Sequence, residues 1–217
     1  MIPTILIADD HELFRKSLIV TLKNYFPDTD FIEASNGEEV LEITKKNKPD
    51  IILLDIEMPV MNGIKTLLEL RKNNLNSKVL MLSSKTAKEF IYISKEYKAN
   101  GYFTKNVAPD MLAEVIMRII SSNLFICSEW FSLEFTNKNR FSSNTLTRID
   151  LLTKREREVL KHFFNGLNTS EVSEIMSVRK KSIDNYKNRI LTKMETTPDM
   201  FFQDWVIKNR EVIGYLI

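Results

Sequence analysis

Five short apolar runs, each followed by a stretch at helical spacing, fill the first 120 residues and leave few architectures open to the chain. The runs are Thr4–Ala8 (TILIA), Asp30–Ala34 (DFIEA), Ile51–Leu54 (IILL), Lys78–Leu82 (KVLML) and Gly101–Thr104 (GYFT). Three of them are nearly continuous in apolar residues, the pattern of a strand covered on both faces. Between them helices are expected over His11–Tyr25, Gly37–Asn47, Gly63–Asn73, Thr86–Lys98 and Pro109–Ser122. The last carries Leu112, Val115, Ile116 and Ile119 on one stripe, with Pro109 well placed near its first turn. Five βα units in a row predict an α/β domain: a five-stranded, doubly wound parallel sheet with helices on both sides. Ligands of such sheets bind beyond the carboxyl ends of the strands, at the switch in strand order.

The strand ends carry a selected set of groups. Asp55 closes the third run, the pair Asp9-Asp10 the first, Ser83 the fourth and Lys105 the fifth, so all five converge on one edge. A lone aspartate after a strand commonly serves as a turn former or helix cap; here its company singles it out. Three adjacent carboxylates repel, so one takes a proton or a cation sits among them. An oxygen-only cluster with few ligands suits Mg²⁺, which keeps several waters and accepts one or two carboxylates. A lysine and a hydroxyl facing that ion complete a phosphate-sized pocket. The chemistry implied is phosphoryl transfer to an aspartate. His11 is expected to be an exposed residue at a helix start, and Asn62-Gly63, after Pro59, to turn the loop and begin the next helix.

The segments ILIADDH, IILLDIEMPVMNG, VLMLSS and GYFTK, in this order and each at a strand end, resemble the receiver domain of bacterial two-component response regulators over residues 3–121. The resemblance implies a flavodoxin-like fold in which Asp55 is the phosphoacceptor and takes its phosphoryl group from a histidine kinase. It further implies a Mg²⁺ held by Asp9, Asp10, Asp55 and the backbone carbonyl of Glu57, with Asp10 binding directly and Asp9 mainly through water. Ser83 and Lys105 would grip the phosphoryl oxygens. Tyr102, three residues before the lysine, is the implied switch ring, moving inward as Ser83 is drawn to the phosphoryl group. The face formed by Lys85–Lys98 and Tyr102–Ser122 would then change shape and form a homodimer. Glu57, two residues beyond Asp55, is expected to influence the acyl phosphate lifetime.

The remaining chain reads differently. Residues 123–148 turn rich in Ser, Asn and Thr and are expected to be a linker, although Trp130, Phe131, Phe135 and Phe141 suggest that part of it packs on a domain. From residue 149 the pattern is all-helical. Thr153 and Glu156 form a capping-box pattern opening a helix that runs to Phe164 and ends at Asn165-Gly166; Asn168 and Glu171 repeat it for a helix through Met176. A third helix follows over Lys180–Met194, with Val172, Ile175, Met176, Ile183, Ile190 and Met194 joining the faces. Residues 198–217 fit one final helix. Within 179–193 six basic residues face one acidic residue, and two short helices with the second one basic suggest a helix-turn-helix.

LTKREREVL at 152–160, Gly166, EVSEIMSV and SIDNYKNRILTKM resemble the LuxR-type DNA-binding domain of NarL/FixJ-type response regulators. That resemblance places Lys180, Lys181, Ser182, Lys187 and Arg189 against phosphates or the groove of double-stranded DNA, with Asn185 and Asn188 at base edges. Asp184 departs from the family, which has a lysine there. The domains are thus a receiver at 1–122, a linker at 123–148 and the helix-turn-helix domain at 149–217. No apolar run approaches the roughly 20 residues of a membrane span, and the single cysteine, Cys127, excludes an internal disulfide; Cys127 is expected in a helix or linker. The chain reads as a cytoplasmic transcription factor and not an enzyme. Two alternatives stand beside that reading: a phosphorylation-independent dimerisation platform, and an aspartyl-phosphate phosphatase, although the latter usually has a second aspartate where Glu57 stands.

Overall fold

A computed structural model describes residues 3–85, 88–121, 125–127, 148–196 and 200–217. The chain divides into two compact units, Met1–Thr136 and Asn137–Ile217. The linker expected at 123–148, with its four aromatics, lies almost wholly outside the described residues.

In the first unit β1 (Thr4–Ala8), β2 (Asp30–Ala34), β3 (Ile51–Leu54), β4 (Lys78–Ser83) and β5 (Gly101–Thr104) alternate with α1 (Glu12–Lys23), α2 (Gly37–Asn47), α3 (Gly63–Lys72), α4 (Lys88–Glu96) and α5 (Pro109–Ser121). A sixth strand, β6 (Ile126–Cys127), completes a parallel sheet of order β2-β1-β3-β4-β5-β6. The sheet therefore has six strands instead of the expected five, and Cys127 lies in a strand instead of a helix or linker. Ile126 and Cys127 pair with Gly101 and Tyr102. A two-residue strand has no readable period; it exists because β5 would otherwise leave an unpaired edge. Gly101 serves this join, since a Cβ there would come within 2.7 Å of the Ile126 carbonyl oxygen.

Period-two alternation sorts the strand residues between two faces. Ile5, Ile7, Ile51, Leu53, Leu80 and Leu82 pack in one cluster with Leu22 of α1 and Leu112, Val115, Ile116 and Ile119 of α5. Every residue of β3 is buried, as its unbroken apolar run requires. Strand order reverses at β1, which lies between β2 and β3, so the loops after β1 and β3 diverge and open a crevice there.

The second unit has α6 (Lys154–Phe164), α7 (Thr169–Ile175), α8 (Lys180–Lys193), α9 (Phe202–Lys208) and α10 (Arg210–Leu216). Both capping boxes form as the sequence predicts. Val172, Met176, Ile183, Ile190 and Met194 are buried, but Ile175 is 57 % exposed and joins no face. The expected final helix is two. Asn209 interrupts it: its backbone leaves helical geometry (φ −106°, ψ 14°), and its side-chain amide donates to the Trp205 carbonyl at 2.7 Å. The same carbonyl also accepts from the Asn209 backbone amide at 3.1 Å, so it takes two bonds at the helix end. Phe202, Trp205, Val206, Ile213 and Leu216 are buried, while Phe201 is exposed.

Glu156 does more than cap. Its Oε2 accepts from the Thr153 amide at 2.7 Å and from Lys193 Nζ at 2.6 Å, tying the start of α6 to the end of α8. Burial alone would raise the Glu156 pKa, yet the Lys193 and Thr153 bonds prevail and hold it below the ordinary 4.5. A depressed carboxyl contributes stability above its unfolded pKa and loses it as pH falls through the folded value. Glu156→Ala is therefore expected to destabilise the second unit by about 2–3 kcal/mol at neutral pH, from the lost cap and the lysine left without its partner. The gap from wild type narrows below the ordinary glutamate range. Urea unfolding followed by the buried Trp205, in a Trp130→Phe background, measures it; an unchanged gap at acid pH would show that the ion pair is idle.

Candidate phosphoacceptor site and helix-turn-helix surface

The strand ladders themselves deliver the site. The Asp55 amide donates to the Ala8 carbonyl at 2.9 Å, the Asp9 amide to Ala34 at 3.1 Å and the Lys105 amide to Ser83 at 2.9 Å, each extending a ladder by one residue. Each side chain thereby stands at a fixed height on the carboxyl edge. Gly63 makes room behind: a Cβ there would lie 1.9 Å from the Asp55 carbonyl oxygen, so α3 can begin this close only without a side chain. Asn62 caps α3 by accepting from the Lys65 amide at 2.9 Å.

Lys105 Nζ sits between two buried carboxylates, 2.8 Å from Asp55 Oδ2 and 2.6 Å from Asp9 Oδ2. The approach to Asp55 is a hydrogen bond. The approach to Asp9 is an ion pair that lies off the hydrogen-bonding direction, so Asp9 Oδ2 is a buried oxygen without a hydrogen-bond partner. Burial pushes the Asp55 carboxyl above the ordinary aspartate value, against the opposing pull of Lys105, while the nearby Asp9 charge adds to the rise. Burial would lower the Lys105 ammonium, but its close pairing with the Asp55 and Asp9 carboxylates wins and raises it. Asp55 Oδ1 accepts from the Ile56 amide at 2.7 Å.

Asp10 is exposed and does not join this lysine-centred group. Its Oδ1 lies 2.8 Å from His11 Nδ1, which is also 3.2 Å from Asp9 Oδ1. Asp9, Asp10 and His11 form a cluster whose ligand atoms lie within 4.8 Å of one another, enough to hold a divalent cation. His11 is exposed at the start of α1, as the sequence predicts, yet it enters the cluster while Asp55 does not. A buried carboxylate oxygen that accepts no hydrogen bond, beside a second acidic group, fits a hard cation.

Ser83 and Tyr102 are both buried, and both hold Lys85: its amide donates to Ser83 Oγ at 3.2 Å, and its carbonyl accepts from the Tyr102 hydroxyl at 2.7 Å. The Tyr102 ring is thus already inside. The Glu57 carboxylate lies 3.4 Å from Lys85 Nζ.

Three supporting residues escaped the sequence reading. Arg15 donates to the Asp9 carbonyl at 2.7 Å and to Glu33 Oε2 at 2.9 Å, fixing the backbone of the acidic pair. The Phe14 ring lies 5.0 Å from Lys105 Nζ, a cation–π distance. Lys85 is the third. The signal for Arg15 was its i, i+4 spacing from His11, which sets it on the same face of α1; Phe14 and Lys85 had no comparable signal.

On α8, Lys180, Lys181, Asn185, Asn188 and Arg189 are exposed, and Ser182 is partly covered. Spacings of four and three place Lys181, Asn185 and Asn188 on one outward face, opposite buried Ile183 and Ile190. Lys187 is drawn in instead. Its Nζ lies 2.8 Å from Asp184 Oδ1, 3.3 Å from Thr169 Oγ1 and 5.7 Å from the Phe163 ring.

Comparison with known proteins places both units. Residues 5–117 match the response regulator receiver domain and residues 150–201 the bacterial regulatory proteins of the luxR family. The chain is 29 % identical over 209 residues to the nitrate/nitrite response regulator protein NarL of Escherichia coli K12, covering 95 % of this chain and 96 % of that one. It is 30 % identical over 199 residues to the transcriptional regulatory protein LnrK of Bacillus subtilis, covering 88 % and 90 %. A LuxR-family DNA-binding response regulator from Staphylococcus aureus superposes with a TM-score of 0.52 at 25 % identity, over 54 % of this chain and 98 % of that one.

Proposed function

Because the chain belongs to the response-regulator family, a receiver domain followed by a LuxR-type DNA-binding domain, we propose that Asp55 takes a phosphoryl group from a histidine kinase and that its modification controls binding of the second unit to double-stranded DNA. The architecture is that of phosphorylation-regulated transcription factors, and the relatives are named as regulators. Receiver, linker and DNA-binding domain are assigned to 1–122, 123–148 and 149–217, and the protein is assigned to the cytoplasm. Among the described residues no helix is long and apolar enough to cross a membrane.

The observation that carries the proposal is the buried Asp55 carboxylate with Lys105 at 2.8 Å, at the sheet's switch point. A carboxylate oxygen of Asp55 attacks phosphorus as the N–P bond of a phosphohistidine breaks; the imidazole nitrogen keeps the electron pair and takes a proton. Such a transition state is loose, so positioning and charge neutralisation dominate. Lys105 follows the charge from the carboxylate to the phosphoryl oxygens, and Ser83 donates its hydroxyl to another. Asp9, Asp10, Asp55 and the Glu57 carbonyl would hold Mg²⁺, which when bound supplies further positive charge to the phosphoryl group. With Ser83 drawn toward that group, its bond to the Lys85 amide is lost, leaving Tyr102 to hold the loop from inside. That exchange reshapes the surface around β4 and α4 and favours a homodimer. Lys180, Lys181, Ser182 and Arg189 serve phosphates, with Asn185 and Asn188 at base edges, while Lys187 stays paired with Asp184 and Thr169.

Light scattering with Mg²⁺, with and without beryllofluoride, on wild type and Asp55→Ala tests this. Dimerisation that needs both the acyl phosphate mimic and Asp55 is the expected result. A dimer indifferent to both would make the receiver a constitutive platform and end the proposal.

A further inference from the structure

Asp184 is the single acidic residue among residues 179–193, and it stands on the helix whose outward face meets DNA in the reading above. Its partner is inside its own fold: the carboxylate bonds Lys187 Nζ at 2.8 Å. An exposed i, i+3 pair holds weakly by itself. Lys187, however, is fastened from three helices at once, by Asp184 of α8, the Thr169 hydroxyl of α7 and the Phe163 ring of α6, and its side chain is only 22 % exposed. To reach a phosphate it must leave all three. The neighbours Lys181, Asn185 and Asn188 are exposed on the outward face, so the loss falls on one cation and spares the others. Asp184 also lines, with Asn168, Thr169, Lys187, Asn188 and Phe201, the concavity beside this face, on the flank toward α7.

We propose that Asp184 is a specificity-determining residue: a built-in counter-charge that withholds Lys187 from DNA phosphates and so lowers affinity for DNA of arbitrary sequence. Phosphate contacts add affinity irrespective of sequence, whereas base contacts discriminate. Cancelling one phosphate-binding cation while leaving Asn185 and Asn188 free widens the ratio between the two. The inference rests on the DNA-binding reading of the second unit.

The test uses the full chain with Mg²⁺ and beryllofluoride: wild type, Asp184→Asn, Lys187→Met and the double variant, titrated by anisotropy against a labelled duplex of random sequence over a salt series. Asp184→Asn is expected to bind about tenfold tighter near 0.1 M salt, with a salt dependence steeper by about one phosphate contact. Lys187→Met is expected to change little in the wild-type background and to erase the gain in the Asp184→Asn background. A gain that survives Lys187→Met would overturn the proposal, since Asp184 would then act by its own repulsion. So would an Asp184→Asn variant no tighter than a wild type that binds. If no variant binds duplex at any salt, the DNA-binding reading falls and the proposal falls with it.

Discussion

Asp55→Asn incubated with acetyl phosphate and Mg²⁺ is expected to gain no phosphoryl group, where wild type gains one that hydroxylamine removes. Intact-mass measurement reads the difference directly. The expectation rests on geometry: Asp55 is the buried carboxylate that the end of β3 presents to Lys105, whereas Asp9 is engaged by His11 and Lys105, and Asp10 is turned out toward His11. Retained labelling in Asp55→Asn would move the phosphoacceptor to another residue. The same variant carries a stability signature of opposite sense. Burial raises the Asp55 pKa above the ordinary aspartate value of 3.8, so the ionised group opposes folding. Its contribution is most favourable below the unfolded pKa and declines as pH rises through the folded value. Asp55→Asn is therefore expected to unfold at higher urea than wild type at neutral pH, without divalent cation, and to converge with it in acid. A buried charge retained against stability is what a reactive site requires.

Lys105→Met is expected to be the most damaging single change in the receiver. It removes the cation from between two buried carboxylates, and breaking such a group from one side costs about 3 kcal/mol. It also removes the positive charge next to the phosphoryl oxygens, for which a loss of roughly 100-fold in the rate of labelling by acetyl phosphate is expected. The pH dependence separates these effects from general misfolding. The raised Lys105 pKa means that its contribution in wild type is fully present below the ordinary lysine value of 10.5 and is lost only as pH rises through the folded value. In the variant the two carboxylates repel without relief, so acidification, which protonates Asp55, is expected to restore stability toward wild type. Mg²⁺ is expected to stabilise the variant more than wild type, because a cation near Asp9 replaces part of the missing charge. Urea unfolding between pH 5 and pH 8, with and without Mg²⁺, reads all three; a variant as stable as wild type across that range would show that the Lys105 pairing contributes nothing.

How much of this was legible beforehand follows from the range of the forces involved. The strands β1, β2, β3 and β5 and the helix α2 lie where their residues alone place them, because a short β-rich run and an N-cap are local properties. The convergence of Asp9, Asp55, Ser83 and Lys105 was legible for a related reason: each follows or ends a strand, and parallel strands share one carboxyl edge. Beyond that reach the sequence was silent. The strand β6 has two residues and no period; only the open edge of β5 explains it. The break at Asn209 hides within a helical pattern, since neither proline nor glycine marks the residue whose backbone leaves helical geometry. Ile175 keeps helical spacing yet lies in solvent, because burial depends on what packs opposite.

The sequence by itself determined which residues are chemically able to act: the carboxylates, the lysine and the hydroxyl at the strand ends, and the basic face of α8. Only the tertiary structure decided how they are paired. It set Lys105 between Asp9 and Asp55, turned Asp10 toward His11, buried Tyr102 with its hydroxyl on Lys85, and bound Lys187 to Asp184 and Thr169. Periodicity and capping act over a few neighbours along the chain. Charge pairing acts over a few ångströms of space, between residues as far apart in sequence as Asp55 and Lys105, and only the packed fold brings such residues together.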